Sequence, residues 1–135
     1  MIIDTSVLFD AVVDGTRSSA SRSLLFATEH ISSPDIIRVE MAGALTKAVR
    51  RRDLSETYAR AAYELAERSL PKIENSAPLM PRAFQLSLEL SHPCSDCVFL
   101  ALAESRDTLL ATSDARFAHK LAGTGYARLI HLIEP

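Results

Sequence analysis

The chain has 135 residues, 47% of them hydrophobic and 24% charged, with four glycines and six prolines, which excludes disordered, collagen-like and low-complexity classes. Fifteen Lys and Arg against 17 Asp and Glu leave a formal net charge of −2, so no overall basic field announces nucleic acid, although a local basic rim is compatible with an acidic total. The length fits one domain of roughly 100–150 residues, two cysteines suit a reducing compartment, and neither a spanning helix nor a signal peptide is visible; a single cytoplasmic domain, residues 1–135, is the expectation.

In chain order, residues 1–4 form a short apolar run that ends in Asp4 and the hydroxyls Thr5 and Ser6, the pattern of a buried strand at its carboxyl end. A helix is expected over 18–29 and a short strand over 31–33. Ile37, Met41, Ala44, Leu45 and Ala48, then Tyr58, Ala61, Ala62, Leu65 and Ala66, follow the helical period and predict two amphipathic helices broken near Arg52-Asp53. The region of Ile73 reads as a poor edge strand, 81–90 as a helix, and 97–103 as a helix apolar nearly all round, hence buried. Residues 108–112 repeat the strand pattern of the start and run into Ser113-Asp114; a last strand is expected over 127–133. Short apolar strands alternating with helices predict a mostly parallel sheet covered on both faces, with ligands beyond the carboxyl ends of its strands.

Four carboxylates invite a chemical reading, and each has a plain structural one beside it. Asp4 and Asp114 stand at strand ends, where Asp is also a favoured helix N-cap. Glu40 shares the flank of a helix whose apolar face packs on the sheet, yet a rim Glu can extend into water. Asp96 stands at the entrance of the most apolar helix, where the helix dipole alone favours a negative charge. Taken together, the set has a further implication, because four separate caps have no reason to converge. If they do converge, mutual repulsion requires protonation or a cation, and an all-oxygen set suits Mg²⁺ or Mn²⁺ and phosphate-ester chemistry.

Other chemistries fit less well. Pro93-Cys94-Ser95-Asp96-Cys97 has half of a zinc-deaminase signature, but no histidine is followed two residues later by Glu. The same cysteines as a redox pair compete with a role as small core residues. A phosphatase of the haloacid-dehalogenase type requires a second acid two residues after the first, where this chain has Ser6.

The four acidic segments resemble those of the PIN-domain ribonucleases, specifically the VapC toxins of toxin–antitoxin pairs. The opening Met1-Ile2-Ile3-Asp4-Thr5-Ser6 is similar to the family's first acidic motif, and the stretch from Arg38 to Leu45 to its helical Glu motif. The stretch from Ser95 to Glu104 resembles the third motif, with Ser95 and Phe99 where Tyr is common, and that from Leu110 to Phe117 resembles the fourth. The resemblance covers nearly the whole chain. It implies a three-layer α/β/α domain with a five-stranded parallel sheet in the order 3-2-1-4-5, homodimerisation, and neutralisation by a cognate antitoxin. It also implies an endoribonuclease dependent on Mg²⁺ or Mn²⁺, with Asp4, Glu40, Asp96 and Asp114 as metal-site carboxylates and Thr5, Ser6 and Thr112 as supporting hydroxyls. Hydrolysis of RNA phosphodiester bonds by a metal-activated water is the expected chemistry. RNA approaching an acidic site calls for nearby cations, for which Arg116 and Lys120 are the first candidates; Arg50-Arg51-Arg52 suit a helix carboxyl end in any case. The alternative is a catalytically silent PIN-fold domain that binds RNA or protein, since fold alone does not confer activity.

Overall fold

A computed structural model describes residues 1–135. Five very short strands make one sheet: β1 (Ile2–Ile3), β2 (Ser32–Pro34), β3 (Lys72–Glu74), β4 (Leu110–Thr112) and β5 (Ile130–Leu132). Their order is β3-β2-β1-β4-β5 and every pairing is parallel, the order that the family resemblance implies. Ile2 stands opposite both Ser32 and Leu110, so the sheet grows outward in both directions from β1. Strand order therefore reverses between β1 and β4, the position at which open α/β sheets form a crevice.

Successive strand residues point to opposite faces, and Ile2 and Ile3, like Leu110 and Ala111, are all buried. Both faces are thus covered, which explains why these strands are continuous apolar runs rather than alternating ones. Seven helices do the covering: α1 (Thr5–Val12), α2 (Ser18–Ala27), α3 (Ile36–Arg50), α4 (Glu56–Arg68), α5 (Met80–Leu90), α6 (Cys94–Arg106) and α7 (Ala115–Leu121). Helix α6 lies against β1, β2 and β4 with α5 packed outside it, whereas α1 lies against β4 and carries α2, α3 and α4. Seven consecutive residues of α6, Cys97 to Ala103, are buried, as expected of a helix sandwiched between sheet and helix. No helix is long and apolar enough to cross a membrane.

The start of α6 and the last strand differ from the expectation, whereas α5 ends at Leu90 as expected. Helix α6 begins at Cys94, with Pro93 as its N-cap residue, because proline fixes the backbone angle that a helix start needs; Asp96 therefore lies inside the first turn rather than before it. The last strand is shorter, as Ala127–Leu129 forms a 3-10 turn ahead of β5. Helix α5 ends on Ser91 in the left-handed conformation, and this sharp exit, together with the Ser87 hydroxyl donating to the His92 carbonyl at 2.6 Å, presents the His92 side chain toward α6.

Candidate active site

The carboxyl ends of β1 and β4 are joined by a short hydrogen-bonded network. The Asp4 carboxylate caps α1 by accepting the Val7 amide at 3.2 Å, and it accepts the Ser6 hydroxyl at 2.5 Å. Ser6 Oγ in turn accepts the Ser113 amide at 2.9 Å and lies 3.4 Å from Thr112 Oγ1. Thr112, fully buried, accepts the Asp114 amide at 3.0 Å, and Asp114 caps α7 by accepting the amides of Arg116 and Phe117 at 3.0 and 3.1 Å. The capping roles foreseen for Asp4 and Asp114 are therefore real, and each is filled mainly by one carboxylate oxygen, leaving the other available.

Glu40 and Asp96 reach the same place from helices. Glu40, on the flank of α3, accepts the Thr5 hydroxyl at 2.7 Å, so the residue after Asp4 fixes the second acid. Asp96 Oδ2 lies 2.7 Å from His92 Nε2, and the imidazole is stacked on Phe117 with ring centroids 4.6 Å apart. One aromatic of α7 thereby steadies the third acid. His92 was not selected as a site residue from the sequence, and its spacing of four from Asp96 is the signal that identifies it. Asp10 was also missed: its carboxylate accepts the Ser113 hydroxyl at 2.6 Å, and its position one helical turn after Ser6 places it on the same face of α1.

Asp4, Thr5, Ser6, Asp10, Glu40, Asp96 and Asp114 line one cleft of about 620 Å³, together with Lys47 and Arg51, whereas His92, Thr112, Ser113 and Phe117 stand behind its walls. The sequence-selected carboxylates, drawn from four separated segments, thus share one mouth, as do the hydroxyl-bearing Thr5 and Ser6. Arg116 and Lys120 do not line it; both are exposed on α7.

Burial pushes the Asp4 carboxyl up to about 6; the hydroxyls of Ser6 and Thr112 and the Val7 amide pull it down, and the charge of Asp96 adds to the rise. Burial likewise raises Glu40, against the pull of the Thr5 hydroxyl and with repulsion from Asp96 behind it. None of the four acids is paired with a Lys or Arg; the basic side chain in contact with them is the His92 imidazole, at Asp96. Such a set of oxygen donors suits a hard divalent cation, which would relieve both the desolvation and the repulsion. No three acidic, histidine or cysteine groups stand close enough to form a preassembled cage; Glu40 and Asp96 are anchored through side chains alone. The cysteine readings fare worse: Cys97 is buried in the core with its thiol pushed up to about 11 by burial, so neither thiolate chemistry nor zinc ligation is favoured there.

Parallel strands ending in carboxylates over an acidic cleft, between two layers of helices, are the architecture of a nuclease-type α/β domain, and the comparisons specify it. The PIN-domain model matches residues 1–121; the chain belongs to the PIN-domain family. It is 34% identical over 122 residues to ribonuclease VapC1 of Mycobacterium tuberculosis, covering 87% of each chain. In structure it resembles PAE2754 from Pyrobaculum aerophilum (TM-score 0.69, 20% identity, covering 95% of this chain and 87% of that one). It also resembles VapC20 of M. tuberculosis, a sarcin–ricin-loop-cleaving toxin (TM-score 0.66, 17% identity, 87% and 92% covered). A third neighbour in fold is a toxin–antitoxin complex from Klebsiella pneumoniae (TM-score 0.63, 20% identity, 98% and 97% covered).

Proposed function

We propose that residues 1–135 form a single PIN domain that acts as an endoribonuclease toxin dependent on Mg²⁺ or Mn²⁺. The observation that carries this reading is the arrival of Asp4, Glu40, Asp96 and Asp114, from two strand ends and two helices, in one cleft where none of them is paired with a Lys or Arg. The likeness to ribonuclease VapC1 along most of both chains supports RNA as the substrate.

In this reading the four carboxylates hold the cation. When bound, a divalent ion stabilises charge on a phosphate oxygen and raises the acidity of an attacking water. The protein's own contribution is positional. Ser6 and Thr112 fix the strand-end carboxylates relative to one another, Thr5 orients Glu40, and His92 orients Asp96. Asp10 holds the Ser113 hydroxyl and with it the loop that presents Asp114. Partners in this reading are the RNA substrate, a cognate antitoxin and a second copy of the chain, in the cytoplasm. Phe84 and Leu88, 59% and 66% exposed on one face of α5, support the use of that helix in a protein contact.

The test is cleavage of total cellular RNA in Mg²⁺ or Mn²⁺, beside an EDTA control and the Asp96→Asn variant. Metal-dependent fragments absent from a folded variant are expected. Undiminished cleavage by Asp96→Asn would remove the assignment, and a wild-type protein that binds no Mn²⁺ through these carboxylates would return the chain to the binding-domain alternative.

A further inference from the structure

The cleft wall contributed by α3 changes sign along its length. Glu40, Ala44, Lys47, Ala48 and Arg51 all line the cleft, the i, i+4, i+7, i+8, i+11 pattern of a single helix face. At 1.5 Å per residue, Lys47 and Arg51 lie roughly 10 and 16 Å along the helix axis from Glu40. Both are exposed, and neither takes part in any ion pair, although six carboxylates line the same cleft, Asp53 at the Arg51 end among them. Cations that served to neutralise the acids would be paired with them; these two are held apart along the helix.

Resting on the nuclease reading, we propose that Lys47 and Arg51 bind backbone phosphates of the substrate strand beyond the scissile bond, so that the RNA runs along α3 from the acidic floor toward the α3–α4 turn. The acidic floor repels polyanion, and a flanking pair of unpaired cations in the same groove supplies the attraction that docks the strand without touching the reacting phosphate. The contacts are to the backbone, so they set where the strand lies and not which bases it carries. A purely helix-terminal role does not account for them, because Arg50, one position away, serves the α3 carboxyl end equally well while facing the separate groove between α3 and α4. Position on the helix, rather than charge at its end, selects Lys47 and Arg51 for this cleft.

The same neighbour provides the control. Binding of a short fluorescein-labelled oligouridine is measured by anisotropy across a salt series in Ca²⁺, a hard cation that oxygen donors accept. Lys47→Gln/Arg51→Gln is compared with Arg50→Gln/Arg52→Gln, which removes the same net charge from the same helix end. Each single-strand phosphate contact contributes about 0.7 to the slope of log affinity against log salt. The first pair is therefore expected to lower the slope by about 1.4 and the affinity several-fold, while the second leaves the slope within error of wild type. Equal effects of the two pairs, or none from the first, would overturn the proposal. Loss of polyglutamate binding with the RNA slope unchanged would overturn it in favour of an acidic protein segment. Wild-type cleavage in Mn²⁺, run in parallel, separates the two levels: cleavage with an unchanged slope removes only the phosphate track, whereas a wild type that neither cleaves nor binds RNA removes the nuclease reading as well.

Discussion

Asp4 and Asp114, at the ends of β1 and β4, accept backbone amides at the starts of α1 and α7 and are linked to each other through Ser6 and Thr112. Glu40 and Asp96, on α3 and α6, accept no backbone amide and hold their places through the side chains of Thr5 and His92. One half of the cleft is therefore built into the fold, and the other half is laid onto it. The strand-end acids serve as caps, whereas the two helix-borne acids cap no helix and are held by side-chain contacts alone.

The sharpest way to break this contrast is to neutralise the helix-borne pair. Glu40→Gln and Asp96→Asn are each expected to reduce RNA cleavage by more than about a hundredfold, beyond what loss of an outer supporting contact causes, while unfolding free energies from urea titration stay within about 1 kcal/mol of wild type. A large loss of stability in either would place these acids with the strand-end pair.

Next in size is the effect of pH on Asp4. With its carboxyl raised to about 6 in the folded protein against roughly 3.9 in an unfolded chain, the folded state binds the proton more tightly. Stability therefore declines as pH rises from about 4 through 6, and the penalty is complete above that range, on the order of 2–3 kcal/mol. Metal-free Asp4→Asn lacks the ionisation, so in EDTA it should be the more stable protein at pH 7.5, with the gap closing near pH 3.5. A pH-independent difference in urea unfolding would show that the carboxyl is not strained by its surroundings.

Smaller again is the orienting hydroxyl. Thr5→Val removes the donor to Glu40 while keeping the shape, and a roughly tenfold loss of cleavage with a weaker apparent Mn²⁺ affinity is expected; unchanged Mn²⁺ affinity would mean that Glu40 is held by other contacts. The smallest effect separates two variants at the second strand end. Asp114→Ala should lose about 1 kcal/mol through the missing cap, and Asp114→Asn much less, since Asn caps nearly as well. Both should lose activity, so the stability difference isolates the structural half of that residue's role.

What the sequence made legible follows from the same contrast. Asp4 and Asp114 were readable because a buried strand ending in a carboxylate and hydroxyls has a local pattern, and the order of the strands came through the family resemblance, since pairing between distant segments leaves no local trace. Glu40 and Asp96 were placed by helical phase. Asp10, Lys47 and Arg51 escaped because their meaning depends on which side of a helix faces the cleft. Arg51 in particular sits within a run of three arginines, of which Arg50 and Arg51 line different grooves. The spacings 6 to 10 and 40 to 51 held the information, but only the position of α1 and α3 on the sheet makes it readable. Arg116 and Lys120, selected for closeness in sequence to Asp114, are exposed on α7 and do not line the cleft.

The pairing of β1 with β4 also sets a schedule. Asp4 waits for Asp114 while about 110 further residues are synthesised, on the order of ten seconds at typical translation speeds. Until Leu110 and Ala111 have emerged to pair with Ile2 and Ile3, the central strand has only β2 beside it, Ser6 lacks the Ser113 amide and Asp4 stands without Asp114. A nascent chain is consequently unable to assemble the cleft while most of its length is already made.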